Sequence, residues 1–569
     1  MSRQIMKRWP RLSVNTCISI AAIFFSISLR SEAQQLGDSF TLSSTGSCPA
    51  FHCDAEGTGL MQHALPLARH GLSVAAANLL PHPCGGKGQD ACEIPGFQSC
   101  SSDDTNAVCL FQDGPSALLS INIGSQSSPT QNFALAGDVA TNNPSASKTA
   151  AVLDEKSGSG AVALIGQDHS VIVADGNWVK RLKSDGTQIW PTSSSPAGVG
   201  DVGKLLGYPT TTGGQQRAVA GITPLQYNGE TIVAVTYNDG PIANPNTYSN
   251  IVAFNLTDGT PIAKFPVTTT NSSTGGLAVG DVSYATASPP VGHGNKLYFV
   301  GYDSASDLGL LASLDLSDGA FTMSHHQTFG GITGASPLYT DAAKYTAFVS
   351  DQILLHVPDP MRGTLADLNC TFDGTPDKND HLVSFSADLS KCNWAAALNP
   401  NANPFKSSGI QVGPALDPVS GGVWLWTSSA RNPAGQKLYH YPATGGHYDR
   451  VIDLPTICEA ASADCGLAPR FVGHIYAVNP AVARTVYIVT LISGMAGTGS
   501  TKSVIAIDTT ARIKTSSVIK WSAPISHMSG ASYGGALPLV TLPGNAGAGV
   551  IFSGGTASLS SGNVSLVKP

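Results

Sequence analysis

The stretch from Ser249 to Val267, SNIVAFNLTDGTPIAKFPV, sets Ile251, Ala253 and Asn255 on one face of an extended segment and Val252, Phe254 and Leu256 on the other. The run stops at Asp258-Gly259 and restarts at Pro261, the pattern of a strand, a tight turn and a second strand. The phrase returns as VKRLKSDGTQIW over Val179 to Trp190, as LLASLDLSDGAF over Leu310 to Phe321 and, without the glycine, from Val504 to Trp521. One hairpin repeated along a chain predicts a β-propeller, because each unit has two apolar faces that only neighbouring units can cover.

Two further marks recur with it. Gly-Asp-Val stands at Gly137, Gly200 and Gly280, and a proline opens a strand at Pro224, Pro337, Pro414 and Pro538. Proline lacks the N–H that an interior ladder needs, so it suits the first residue of a strand. The spacing predicts modules near 137–191, 200–268, 277–326, 331–394, 409–454 and 471–523. What remains is a set of strands after Gly530 and another at Val108–Phe111 and Leu118–Ile123. Pairing the two ends in one blade would close the ring and hide its edges. The fold class expected is an all-β propeller of seven blades, with eight as the alternative.

The N-terminus is built differently. Arg3, Lys7, Arg8 and Arg11 precede an uncharged apolar run from Cys17 to Leu29, and Ser31-Glu32-Ala33 offers small residues for cleavage, so 1–33 reads as a secretory signal peptide. The run is shorter than the ~20 apolar residues a spanning helix needs, so no integral membrane segment is expected after cleavage. Residues 34–107 read as a small cysteine-rich cap and 108–569 as the propeller. Within the cap only Leu60 to Leu80 reads as helix. Export favours disulfides: Cys370 with Cys392, Cys458 with Cys465, and Cys48, Cys53, Cys84, Cys92, Cys100 and Cys109 among themselves.

Composition narrows the partners. Charged residues make up only 12% of the chain, with 61 glycines and 36 prolines, which suits many short strands joined by turns. Loss of residues 1–33 removes five of 31 basic and one of 38 acidic residues, taking the charge from −7 to −11. An acidic exported chain without a basic stripe is a poor nucleic-acid binder. The compartment expected is secreted, periplasmic or cell surface.

The Ile251 to Phe265 phrase, and the Trp190 that closes its sister, resemble the repeat of the PQQ-like, quinoprotein-type β-propeller superfamily: a strand, a turn usually written Thr-Gly, and a strand ending in Trp. The resemblance covers most of 130–569 in rhythm and a short stretch of each unit in kind. The turn here is Asp-Gly or is lost, and the closing residue survives mainly at Trp190, Trp394 and Trp521. In the dehydrogenases of that superfamily, the resemblance implies PQQ held between a stacking Trp and a disulfide of adjacent cysteines, beside Ca²⁺ or another metal. No two cysteines are adjacent in this chain, so PQQ is not expected. The reading is a binding or interaction module with a protein or glycan partner on the propeller faces. The alternatives are a PQQ- and metal-dependent dehydrogenase and a glycan-binding or glycan-cleaving propeller, and whether the chain is catalytic stays open.

Among local motifs, Asp373, Asp377, Asn379 and Asp380 gather hard oxygen donors in a turn-rich loop between Cys370 and Cys392, and calcium is the ion they would take. Trp424 and Trp426, two apart on a strand, share a face that could stack a flat ligand or pack between blades. Gly198 to Gly203 matches the dinucleotide fingerprint as a string and Gly530 to Gly534 the nucleophile elbow, but neither has the strand and helix around it that the chemistry requires.

Overall fold

The computed structural model describes residues 40–43, 48, 50, 53–58, 60–63, 73–80, 97–111, 116–123, 130–136, 162–175, 178–192, 195–196, 199–205, 218–238, 251–265, 289–303, 308–331, 333, 335–373, 380–398, 413–427, 437–463, 465, 467–480, 485–496, 499–525, 539–542, 547–553 and 562–568. The signal peptide expected over 1–33, together with Cys84, Cys92, Asp377, Asn379 and the Gly530 to Gly534 string, lies outside them.

The strands form a β-propeller of eight sheets. Seven are built from strands in consecutive chain order. The first blade is Phe97–Ser102, Asn106–Phe111, Ser116–Asn122 and Thr130–Ala136; the second is Val162–Ile165, Val171–Asp175, Trp178–Leu182 and Gln188–Trp190. The third is Ala218–Tyr227, Glu230–Asn238, Ile251–Asn255 and Pro261–Phe265; the fourth is Val291–His293, Lys296–Asp303, Leu308–Ser317 and Ala320–Gly330. The fifth is Leu338–Thr340, Gln352–Val357, His381–Ser386 and Cys392–Ala397, with Phe372–Asp373 added parallel at its edge. The sixth is Ala415–Asp417, Gly422–Thr427, Lys437–Pro442 and Arg450–Asp453; the seventh is Leu467–Pro480, Tyr487–Ala496, Gly499–Asp508 and Ile519–Ile525. The closing sheet joins Leu539–Leu542, Gly547–Ser553 and Gly562–Lys568 to Ser73–Leu80 from the other end of the chain.

The sheet count therefore matches the alternative of eight, and the reason is local. Val108–Phe111 and Leu118–Ile123, expected to share a blade with the C-terminal strands, instead pair by hairpins with Phe97–Ser102 and Thr130–Ala136. Phe97–Ser102 and Ser73–Leu80, from the segment read as the cap, pair into these sheets. Leu60 to Leu80, read as helical, holds the strands Leu60–His63 and Ser73–Leu80. Long-range pairing with Gly562–Lys568 overrides the helical preference of SVAAANLL.

The apolar pattern on both faces follows from blade stacking. Trp178–Leu182 and Gln352–Val357 are buried at every position, whereas the outermost strand Pro261–Phe265 is half exposed. Aromatic side chains on outermost strands lock several blades to the next. Trp190 donates its indole N–H to the Leu256 carbonyl at 3.0 Å and lies over the third blade's hairpin turn, where a Cβ on Gly259 would sit 2.6 Å from the ring. Trp394 covers Gly445 of the sixth blade in the same way. Glycine is required at both turns twice over, by a φ near +75° and by the indole on top of it.

First strands of successive sheets neighbour one another, as with the first and second blades, the second and third, the third and fourth, and the eighth and first, so they form the inner ring around the axis. Four disulfides join Cys48 to Cys53, Cys100 to Cys109 across a hairpin, Cys370 to Cys392, and Cys458 to Cys465 after the helix Leu454–Ala460. Bonds of this kind belong to an oxidising, non-cytosolic compartment. No helix among the described residues is long and apolar enough to cross a membrane.

Candidate functional site

Propellers place their chemistry on the axis, and here the N-terminal segment occupies it. Residues 41–43 run along the second blade, where the Gln167 N–H donates to the Thr41 carbonyl at 2.8 Å and the Ser43 N–H to Ile165 at 2.9 Å. The Cys48 carbonyl accepts the Ser102 N–H of the first blade at 2.7 Å. After the Cys48–Cys53 bond reverses the chain, Ala55 accepts from Gly292 of the fourth blade at 2.8 Å, Glu56 from Tyr339 of the fifth at 2.9 Å, and Thr58 from Leu416 of the sixth at 2.8 Å. Leu60–His63 then adds to the seventh blade as a parallel strand beside Ala477–Pro480. All of these contacts fall near the end of the inner strands where they turn into the second strand, so one mouth of the channel is strapped. Inner-strand N–H groups that would otherwise face the channel are satisfied by the strap.

The strap carries charge into that mouth. One oxygen of Asp54 accepts the Thr58 N–H at 2.8 Å and the other accepts the Thr58 hydroxyl. Burial, reinforced by Glu56, pushes Asp54 up to about 7, against the opposing pull of Lys344 and Thr58. Asp54 and Glu56 in turn hold the Lys344 ammonium above its usual range despite burial. The Lys344 ammonium lies over the Tyr345 ring at 5.1 Å, and burial raises that phenol to about 12. On the fourth blade His293 Nδ1 is 3.5 Å from Glu56 Oε1 and its ring stacks on Tyr339 at 4.2 Å. The Glu56 contact raises His293, assisted by Asp341 and Asp351. Tyr339 donates to Asp351 at 2.7 Å.

Two other constellations were not visible in the sequence. Asp103, Asp104 and His169 bring one ligand atom each within 4.8 Å, a geometry that could hold a metal ion. Asp103 is already engaged: Oδ1 accepts the N–H groups of Thr105 and Asn106, and Oδ2 meets His169 Nδ1 at 2.7 Å, which raises that imidazole. In the sixth blade, Ser420 Oγ lies 3.0 Å from His440 Nε2 while His440 Nδ1 lies 2.5 Å from Asp449. This has the outline of a nucleophile, base and orienting acid. The adjacent N–H groups that would stabilise an oxyanion are spent, those of Val419 and Ser420 on the Asp417 carboxylate and that of Gly421 on the Asp417 carbonyl. Asp417 also accepts the Trp424 indole N–H at 3.1 Å, so the group acts as a brace within the blade. The sequence signal for either set is one Asp-rich turn and a distant His, which only the fold joins.

The acidic loop is described in part. Asp373 lies on the edge strand Phe372–Asp373 and Asp380 on the far side of Cys392–Ala397, with its carboxylate 3.1 Å from His356 Nε2 and its carbonyl accepting the Leu398 N–H at 2.7 Å. The other ring nitrogen of His356 meets Thr333 Oγ1 at 3.1 Å. Trp424 and Trp426 are buried, Trp424 beside His440 at 4.9 Å and beneath the Arg450 guanidinium at 5.4 Å.

No family model matches the chain, and no curated protein matches it. Among solved structures, a europium-containing methanol dehydrogenase aligns over 92% of this chain and 98% of its own at 8% identity and a TM-score of 0.49. An exotype rhamnogalacturonan lyase aligns over 93% and 91% at 10% identity with a TM-score of 0.33. An α-L-arabinofuranosidase from Fusarium graminearum aligns over 62% and 93% at 12% identity with a TM-score of 0.32. At TM-scores below 0.5 these are likenesses of shape and nothing more.

Proposed function

We propose that the chain is an exported β-propeller that binds a protein or glycan partner on its disc faces and does not work as a quinoprotein enzyme on its axis. The observation that carries this reading is the strap, whose carbonyls at Ala55, Glu56 and Thr58 take the inner-strand N–H groups of Gly292, Tyr339 and Leu416. A flat quinone needs an aromatic floor open to the channel. The described tryptophans, Trp178, Trp190, Trp394, Trp424, Trp426 and Trp521, are all buried in the protein. The disulfides on the strap and on an innermost strand, Cys48–Cys53 and Cys100–Cys109, join cysteines five and nine positions apart rather than adjacent ones. The described residues therefore do not fit that cofactor. The partner face is the one opposite the strap, where the long connections from 358 to 380 and from 398 to 414 leave the blades.

Calorimetric titration of the full chain with PQQ, with and without Ca²⁺, tests the reading. The expected result is no saturable heat and no dye reduction with simple alcohols, aldehydes or sugars. Stoichiometric binding near micromolar affinity would put the dehydrogenase alternative first.

A further inference from the structure

The strap is held by two kinds of contact. Its backbone bonds to the inner strands are indifferent to pH. Its side-chain contacts are not, because His293 of the fourth blade meets Glu56 of the strap and the Lys344 charge of the fifth blade acts on Asp54 and Glu56. We propose that the strap is a proton-operated latch on the channel mouth, seated in acid and loosened as the pH rises to neutral. The conclusion does not depend on which partner the propeller binds.

The sign follows from linkage. A released Asp54 would titrate at its ordinary value of 3.8, whereas in the seated strap burial and Glu56 bring it up to about 7. Between these two values seating the strap takes up one proton, so the seating constant falls by up to about tenfold per pH unit and becomes level above the upper value. His293 acts in the same direction. It is raised by Glu56 when the strap is seated, so its contribution is full below the free value of 6.5 and is lost as the pH rises through the seated value. Asp341 and Asp351 face His293 from the fifth blade and keep a residual attraction for its proton when Glu56 leaves. Lys344, from the fifth blade, and the two Thr58 hydrogen bonds within the strap oppose protonation of Asp54. Tyr339 and Tyr345 titrate above it and contribute no slope.

Geometry makes this a latch rather than a general loss of stability. Asp54 lies directly before Ala55 and Glu56, whose carbonyls, with that of Thr58, hold amides of three different blades. Release would expose the N–H groups of Gly292, Tyr339 and Leu416 to solvent while each blade keeps its own ladder.

Hydrogen exchange read by mass spectrometry on the full chain from pH 5 to 8, corrected for the intrinsic pH dependence of amide exchange, tests the latch. Peptides covering 53–63, 289–295, 337–341 and 414–418 should lose protection by up to about tenfold per unit between pH 5 and 7 and level off above. Peptides within the second and third strands of the same blades should not change. Asp54→Asn, which keeps an acceptor for the Thr58 N–H without a charge, should flatten most of the slope. Lys344→Gln should move the levelling point to higher pH. A flat wild-type profile, or an Asp54→Asn profile as steep as wild type, overturns the proposal. Neither outcome bears on the PQQ titration, so the latch and the binding reading fail separately.

Discussion

His293 and His440 are both enclosed beside carboxylates, yet their pKa values move in opposite directions. His293 is raised, because its main partner Glu56 lies across an interface and its ring keeps a third of its surface. His440 is lowered, because desolvation inside the sixth blade outweighs Asp449 and Asp417 at its two nitrogens. The first histidine joins two parts of the chain that can separate. The second sits within one hairpin unit, where Asp417 also receives the Val419, Ser420 and Trp424 N–H groups. Titration does work on a structure only where the proton can come or go without dismantling a core. The same residue types thus make a latch in one place and a brace in the other.

The contrast can be broken in three ways. The largest effect should come from Asp417→Ala, which strands three buried or part-buried donors and should cost about 2–5 kcal/mol, read as a lower melting temperature in calorimetry. A loss below 1 kcal/mol would mean that the brace is decorative. Next comes acid. His440 takes a proton less readily in the fold than in the unfolded chain, so the sixth blade should lose stability as the pH falls through the unfolded value of 6.5, by up to about 1.4 kcal/mol per unit until the folded group is protonated too. Denaturant titration of wild type and His440→Gln at pH 5 and 7 checks this, and an unchanged acid loss in the variant would reassign it. The smallest effect belongs to His293→Gln. Its contact with Glu56 is part exposed and screened, so the cost at pH 6 should stay within about 1 kcal/mol and shrink in high salt.

The repeating architecture was legible because hairpins announce themselves locally. Asp258-Gly259 marks its turn, and Trp190 marks the end of its blade before any contact is known. Ser73–Leu80 was not legible, since SVAAANLL carries no strand alternation and becomes a strand only by pairing with Gly562–Lys568. The strap was hidden for a related reason. Cys48 to Thr58 looks like any short disulfide loop, and nothing in it names Lys344 or His293 as neighbours. Asp103 with His169, and Ser420 with His440, likewise meet through hairpin ends that sequence distance conceals. In this fold the pattern of a blade is written in its own residues, while the strap and the Asp103–His169 pair are written between units.

The closing sheet also sets an order of events. Ser73–Leu80 leaves the ribosome several hundred residues before its partner Gly562–Lys568. Until that partner arrives the early strand has an unpaired edge, and the finished blades stand in an open arc whose two ends can each recruit a foreign strand. A chain truncated by even its last strand would carry seven formed blades with no means of joining their ends. Such a fragment should be lost to aggregation or proteolysis rather than persist as a smaller, working disc.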